Sequence, residues 1–298
     1  MRKKLCLGTA QFGMNYGITN QMGKPKDNEI DLIIESALNN NIFYFDTANA
    51  YGKSEIILGN KLVNNKNIKF ITKFNSEVEN SFSKEVINKL ENNFESTLKR
   101  LKTNSIDSFL IHNPYDMKRK NNHLLINWLH RLKSQGKINR IGISIYEESD
   151  LESIPLNEIE VIQMPVSIYD QRLLKDSFIN NLLENNIKIH IRSIFLQGLL
   201  LQVSNNWPKH INKSFLNHHA FYEKELFSKN ISFMDAAISF IKNLDFPELV
   251  LFGVTNTSEL KAIYESWNYK SNIVNKLDFK LFKWDLEEDI DPRKWKLR

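Results

Sequence analysis

Short apolar runs alternate with amphipathic stretches along the whole chain. The runs are Leu5–Leu7, Phe43–Asp46, Lys69–Thr72, Asp107–Ile111, Arg140–Ile143, Glu160–Gln163, Lys188–Ile191 and Leu249–Phe252. Each is brief and rich in Ile, Phe, Val or Leu, as strands buried on both faces are. Between them the apolar period lengthens to that of a helix. In Glu29–Asn39 the stripe is Ile30, Ile33, Ile34 and Ala37. In Lys84–Leu101 it is Val86, Ile87, Leu90, Phe94, Leu98 and Leu101. Leu124–Leu132 and Phe233–Ile241 follow the same pattern. The longest gap separates the seventh and eighth strands. It predicts a surface loop over about Gln202–His219, then two short helices.

Eight strands with helices between them fit either an open doubly wound sheet or a closed barrel. An open dinucleotide-binding sheet would carry a GxGxxG turn after an early strand. The first strand here ends in Gly8-Thr9-Ala10-Gln11-Phe12-Gly13, without that spacing, and no GxxxxGK[ST] loop occurs. The pattern therefore predicts an α/β fold of the (β/α)8 TIM-barrel type, for which 298 residues is an ordinary length. No linker rich in Pro, Gly or Ser divides the chain. A single domain over residues 1–298 is expected, with a C-terminal tail from about residue 272.

Composition narrows the setting. Apolar residues are 42% and charged residues 25% of the chain, as in ordinary globular proteins. Cys6 stands alone and cannot form an internal disulfide, which favours a reducing compartment. No apolar run nears the ~20 residues of a membrane span. Leu5–Leu7 is too short for the core of a signal peptide. A cytoplasmic protein without a membrane partner is expected. The net charge is +5, but the lysines are dispersed, which argues against a nucleic-acid partner. The pattern leaves the oligomeric state open.

A barrel of this kind carries its chemistry at the C-terminal ends of the strands. The second strand ends in Phe45-Asp46-Thr47-Ala48-Asn49-Ala50-Tyr51-Gly52, the third in Thr72-Lys73, and the fourth in Ile111-His112-Asn113-Pro114. Reducing a carbonyl by hydride transfer creates an alkoxide that needs a proton donor. Tyr51 has the right acidity for that role, and a nearby Lys73 ammonium is expected to lower its pKa. Asp46 would hold Lys73, and His112 would orient the carbonyl oxygen. Taken singly, each residue has a plainer reading: a helix cap, a packed ring, a solvated charge, a loop cap. All four at one rim are much harder to assign to chance.

The stretch from Phe45 to Gly52, followed by Ser54-Glu55 and Leu58-Gly59, resembles the aldo-keto reductase family, and the likeness runs from Leu5 to about Glu265. The resemblance implies Tyr51 as general acid, with Asp46, Lys73 and His112 completing a catalytic tetrad. It implies that Ser144 and Gln163 hold a nicotinamide carboxamide. It implies that Phe195, Gln197 and Gly198 shape a pyrophosphate loop. It implies that Gly253, Thr255, Thr257 and Glu259 form the turn near an adenosine phosphate, where a helix N-terminus suits an anion. Arg192 stands where many members stack an aromatic ring on the nicotinamide, and Ile145 where many have asparagine. An arginine can stack, meet an anionic group, or form an ion pair at the rim. NADP is the implied cofactor. The alternative is NAD, because Val254–Tyr264 lacks the usual arginine for a ribose phosphate, leaving Lys261 as a substitute.

The implied activity is reduction of a small-molecule aldehyde or ketone. Gln11, Phe12, Met14, Tyr16, Asn49, Asn113, Tyr115 and Tyr146 are candidates for the substrate mouth. Gly8–Ile18 with Tyr51–Glu55 resembles a branch linked to bacterial sugar and nucleotide-sugar pathways, which implies a keto sugar or sugar derivative. Two rival readings remain. One is a non-catalytic nicotinamide-binding regulatory protein on the same fold. The other is a metal-dependent barrel enzyme, for which the strand ends supply one Asp and one His, with His218-His219 expected in the surface loop.

Overall fold

The computed structural model describes residues 3–78, 80–208, 210–269 and 276–295. All eight apolar runs form strands: β1 (Lys4–Gly8), β2 (Tyr44–Asp46), β3 (Lys69–Phe74), β4 (Ile106–Ile111), β5 (Ile138–Ser144), β6 (Val161–Pro165), β7 (Lys188–Arg192) and β8 (Pro247–Gly253). Each pairs in parallel with the next, and β8 pairs with β1 to close a barrel. The (β/α)8 expectation is met.

Among the described residues ten α-helices connect or follow the strands: α1 (Ala10–Gly13), α2 (Asp27–Asn39), α3 (Ser54–Leu62), α4 (Lys84–Leu101), α5 (Asn122–Ser134), α6 (Asp176–Glu184), α7 (Lys213–Ser228), α8 (Phe233–Asn243), α9 (Thr257–Asn268) and α10 (Glu287–Ile290). In α4 the Ser83 side chain accepts from the Val86 N–H, and Lys102 ends the helix in the left-handed region. Its buried face is Leu90, Phe94, Thr97, Leu98 and Leu101, close to the predicted stripe.

Side chains alternate across each strand, so the barrel sorts them into two sets. One set, including Leu7, Phe45, Phe70, Phe109, Ile143, Ile162 and Phe252, joins the large core beneath the helices. The other set builds a small separate cluster of Cys6, Ile71, Leu110, Leu249 and Leu251, with Tyr44 packed against it. Two residues further along the same strands, the same facing brings Gly8, Asp46, Lys73, His112 and Gly253 to the C-terminal rim. At the opposite end the barrel floor is ionic. Arg140 bridges Asp107 (2.5 Å) and Glu248 (2.6 Å), and His190 reaches Glu248 at 3.0 Å.

One expectation is corrected. Residues Gln202–His219 are not one surface loop: a short 3-10 turn spans Ser204–Asn206, and α7 begins at Lys213. The buried face of α7 is Phe215, His219, Tyr222 and Leu226, a helical stripe hidden in the sequence because two members are polar. His219 is fully buried, sharing a hydrogen bond with the Tyr169 hydroxyl (2.5 Å) and another with the Gln202 carbonyl (2.7 Å). The expected start of the tail near residue 272 lies outside the described residues. Residues 276–295 pack against the rest of the chain. Phe279 and Phe282 are buried, and the Trp284 N–H donates to the Tyr169 carbonyl at 3.0 Å.

Candidate active site

Asp46 ends β2 and Lys73 lies one residue before the end of β3. The Lys73 ammonium donates to both Asp46 carboxylate oxygens, at 2.6 and 2.7 Å, and to the Thr47 carbonyl at 3.2 Å. Both side chains are buried, so the pairing is what makes their charges tolerable there. His112 follows β4, its N–H extending the ladder to the Phe74 carbonyl at 3.0 Å.

Tyr51 sits on the loop between β2 and α3. Its ring lies 5.5 Å from Lys73 Nζ and meets the His112 ring edge-on at 6.4 Å between centroids. The loop is locked from three sides. Thr9, Thr47 and Ser54 share a buried hydroxyl cluster. Glu55 accepts from Thr72 (2.8 Å) and pairs with Arg100 (2.7 Å). Gly13 lies against the Tyr51 backbone so closely that a Cβ there would sit 1.7 Å from the Tyr51 carbonyl oxygen. Thr47, Ser54 and Glu55 therefore place the tyrosine rather than react.

The structure thus brings the four tetrad residues together. It corrects one expectation about their electrostatics. Burial, reinforced by Asp46, pushes the Tyr51 phenol above its ordinary range, and Arg192 opposes that rise. The net shift is upward, where a lowering by Lys73 was expected. Burial, aided by Lys73 and Arg192, drives the His112 imidazole down to about 3. Tyr51 is thus a protonated phenol and His112 a neutral imidazole at neutral pH. Among the described residues the Tyr51 hydroxyl has no hydrogen-bond partner, and Tyr51 lines an open cleft.

The cleft holds about 1160 Å³ and runs from Asp46 and Tyr51 along the ends of β7, β8 and β1. Of the sequence-predicted cofactor residues, Gln163, Arg192, Phe195, Gln197, Gly198, Gly253, Thr255 and Glu259 line it. Ser144 does not line it; it lies buried in register with Gln163. Gln163 Nε2 donates to Asp46 Oδ2 at 2.9 Å, while its Oε1 is buried without a partner. The Phe195–Leu200 loop turns through Gln197 and Gly198, both at positive φ. A Cβ on Gly198 would lie 2.0 Å from Thr19 Oγ1. Gln197 also ties this loop to the one after β1, accepting from the Ile18 N–H (3.1 Å) and the Thr19 hydroxyl (3.0 Å).

Thr257 is not in the cleft lining. Its N–H (2.7 Å) and hydroxyl (2.5 Å) both donate to Glu29, on the first turn of α2. Glu259 likewise accepts from the Thr255 N–H (2.7 Å) and hydroxyl (3.0 Å). Carboxylates of this chain therefore occupy the Thr255 and Thr257 donors around the start of α9, and the Asn256 side chain accepts from the Glu259 N–H. Lys261 is largely exposed and faces Glu265 at 3.8 Å. Glu29 was missed in the sequence because nothing local marks a partner 228 residues away.

At the substrate end, Gln11 and Tyr16 line the cleft, as expected. Phe12 does not: α1 turns it fully into the core. Met14 and Tyr115 are exposed, and Asn113 accepts from the Tyr115 N–H to start a short 3-10 turn. Tyr146 is stacked on arginine, with the Arg192 guanidinium 4.0 Å and the Arg293 guanidinium 3.5 Å from its ring centroid. His218 and His219 both lie on α7. Among the described residues no three His, Cys, Asp or Glu side chains gather to hold a metal ion.

A closed parallel barrel whose rim gathers Asp, Tyr, Lys and His beside a long cleft is the architecture of a barrel oxidoreductase. Residues 4–279 match the model of the aldo/keto reductase family, and the chain belongs to that family. No curated protein matches it in sequence. Among solved structures, the holo form of aldo-keto reductase AKR11C1 from Bacillus halodurans is similar at a TM-score of 0.71 and 19% identity, covering 94% of this chain and 90% of that one. The glycerol dehydrogenase AKR11B4 from Gluconobacter oxydans is similar at 0.68 and 20% identity, covering 97% and 92%. At these identities the likeness speaks for the fold. Family membership makes the chain an oxidoreductase of carbonyl compounds.

Proposed function

We propose that this chain reduces an aldehyde or ketone to an alcohol with a nicotinamide dinucleotide, Tyr51 delivering the proton. The observation that carries this reading is Tyr51, which lines the cleft with the Lys73–Asp46 pair and the His112 ring packed beside its phenol. When bound, a dihydronicotinamide would supply the hydride that the carbonyl carbon takes up. Tyr51 holds its proton at neutral pH and releases it to the carbonyl oxygen as negative charge develops there. His112 donates a hydrogen bond to the same oxygen. Lys73, fixed by Asp46, keeps a positive charge beside the phenol ring and steadies the phenolate left behind, which regains a proton from water.

The residues fit such a dinucleotide. The unpartnered Gln163 Oε1 is an acceptor suited to a carboxamide N–H, with Ser144 beside it. Phe195, Gln197, Gly198, Gly253 and Thr255 would line the path of the remainder. At the far end, the hydrogen bonds of Glu29 and Glu259 favour NAD over NADP. A ribose 2′-phosphate would have to displace a carboxylate to reach the α9 donors, whereas a ribose hydroxyl can donate to one. The amide-rich cleft suits a polyhydroxylated carbonyl compound such as a keto sugar. A reducing, cytoplasmic setting belongs to the same proposal, resting on the lone Cys6. Among the described residues no helix is long and apolar enough to cross a membrane.

Titration with NADH and NADPH, read by tryptophan fluorescence, followed by a panel of keto sugars and aromatic aldehydes, tests the reading. Binding of neither dinucleotide would overturn it. Binding without oxidation of the reduced cofactor by any carbonyl would leave the regulatory alternative in its place.

A further inference from the structure

We propose that Arg192 is a specificity residue that anchors an anionic group, carboxylate or phosphate, on the carbonyl substrate; this rests on the reductase reading above. Arg192 is the only basic side chain lining the cleft among the described residues. The acidic groups there are Asp46, paired with Lys73, and Glu259, engaged with Thr255. Arg192 forms no ion pair with any described residue, so the rim ion pair that its sequence position also allowed is not made.

Its geometry is nonetheless fixed. One terminal nitrogen donates to the Ile145 carbonyl (3.1 Å), the other to the Ser193 hydroxyl (3.4 Å). The guanidinium also stacks on Tyr146. Arg293 stacks on that same ring, but Asp291 binds its guanidinium through both oxygens. Two guanidinium groups thus share one aromatic support, and only one has a counter-ion. A guanidinium carries five N–H donors. Two are committed, which leaves about three for a ligand.

The direction of the side chain separates substrate from cofactor. Arg192 is the last residue of β7, whereas its contacts, Ile145 and Tyr146, follow β5. The head therefore leans across β6, away from β8 and the Gly253–Glu259 turn, towards the side where β2, β3 and β4 carry the tetrad. Its charge is felt at Tyr51, Tyr16 and His112. An anion held there lies beside the reacting carbonyl, not on the path through Gly198 and Thr255. A bidentate anion would satisfy the planar fork, and a neutral substrate would leave it unanswered.

Paired probes test this. Succinic semialdehyde is compared with butanal, and glyceraldehyde 3-phosphate with glyceraldehyde, in the wild type, Arg192→Met and Arg192→Lys. Succinate and inorganic phosphate are titrated calorimetrically into the NADH complex, which reads the anion site without turnover. The wild type is expected to favour at least one charged aldehyde over its neutral partner by about tenfold or more in kcat/KM. Arg192→Met should collapse that ratio through KM and weaken anion binding by a similar factor, and Arg192→Lys should restore part of both. The favoured pair tells carboxylate from phosphate. Equal or better turnover of the neutral partners by the wild type, with no anion binding, would overturn the proposal. So would an Arg192→Met variant whose main loss is NADH affinity, which would give the arginine to the cofactor. Failure of NADH binding, or of turnover with all four aldehydes, would instead sink the reductase reading.

Discussion

Gln163, on β6, donates across the barrel rim to the Asp46 carboxylate on β2, while its other amide atom is buried with nothing to accept from. One side chain thereby links the charged pair beneath Tyr51 to the place where a carboxamide would lie. Gln163→Leu should leave the Lys73–Asp46 pair intact and weaken dinucleotide binding by about tenfold or more, the loss of a buried amide acceptor. Fluorescence titration reads this. Unchanged affinity would remove Gln163 from the cofactor site.

Tyr51→Phe should separate binding from chemistry. Among the described residues the hydroxyl has no hydrogen-bond partner, so stability should change by no more than ~0.5 kcal/mol. Loss of the proton donor should lower kcat by about 10²- to 10⁴-fold with dinucleotide affinity retained. Steady-state kinetics beside a binding titration is the measurement, and near-normal turnover would disqualify the phenol.

Lys73→Met strands a carboxylate in the barrel. Asp46 would keep only its bond from Gln163, and breaking a buried pair costs about 3–5 kcal/mol. Adding Asp46→Asn removes the stranded charge and should recover part of that loss. Urea unfolding of the two single variants and the double variant gives the coupling; purely additive losses would contradict a tightly coupled pair.

Acid should weaken the fold in a defined window. Burial holds His219 at about 4, His112 at about 3, and His190 below its ordinary value. In the unfolded chain these imidazoles take up protons near 6.5, so protons favour unfolding below that pH. Their contribution is complete above about 6.5 and declines as the pH falls towards 4. Burial alone would raise the Glu248 carboxyl, but His190 and Arg140 outweigh it and hold the group at about 2. That contribution is present above the ordinary carboxylate range and is lost as the pH falls towards 2. The urea midpoint should drop between pH 7 and pH 4.5, and His219→Gln should flatten part of the slope. A constant midpoint would refute the assignment.

Glu29→Gln and Glu259→Gln should each narrow the preference for NADH over NADPH. Each removes a negative charge from the start of α9, where a ribose phosphate would come closest. The ratio of the two dissociation constants reads this directly. A wild type that binds NADPH more tightly than NADH would reverse the expectation.

The sequence by itself determined the barrel and most of its reactive rim. Eight doubly buried strands leave apolar runs that need no partner to be recognised. A side chain two residues beyond a lumen position returns to the lumen side, so Asp46, Lys73, His112 and Gly253 could be read from strand ends. What tertiary structure decided is each pairing between distant segments: Glu29 with Thr257, Gln163 with Asp46, Arg293 and Arg192 on one tyrosine. It decided the protonation states too. The chain names the ammonium and the phenol, but only packing determines that Lys73 pairs with Asp46 and that burial governs Tyr51. Local pattern encodes which face a residue turns to, because the strand repeat is short. It does not encode which charge meets which, because that depends on how far apart folding leaves them and how little water remains between.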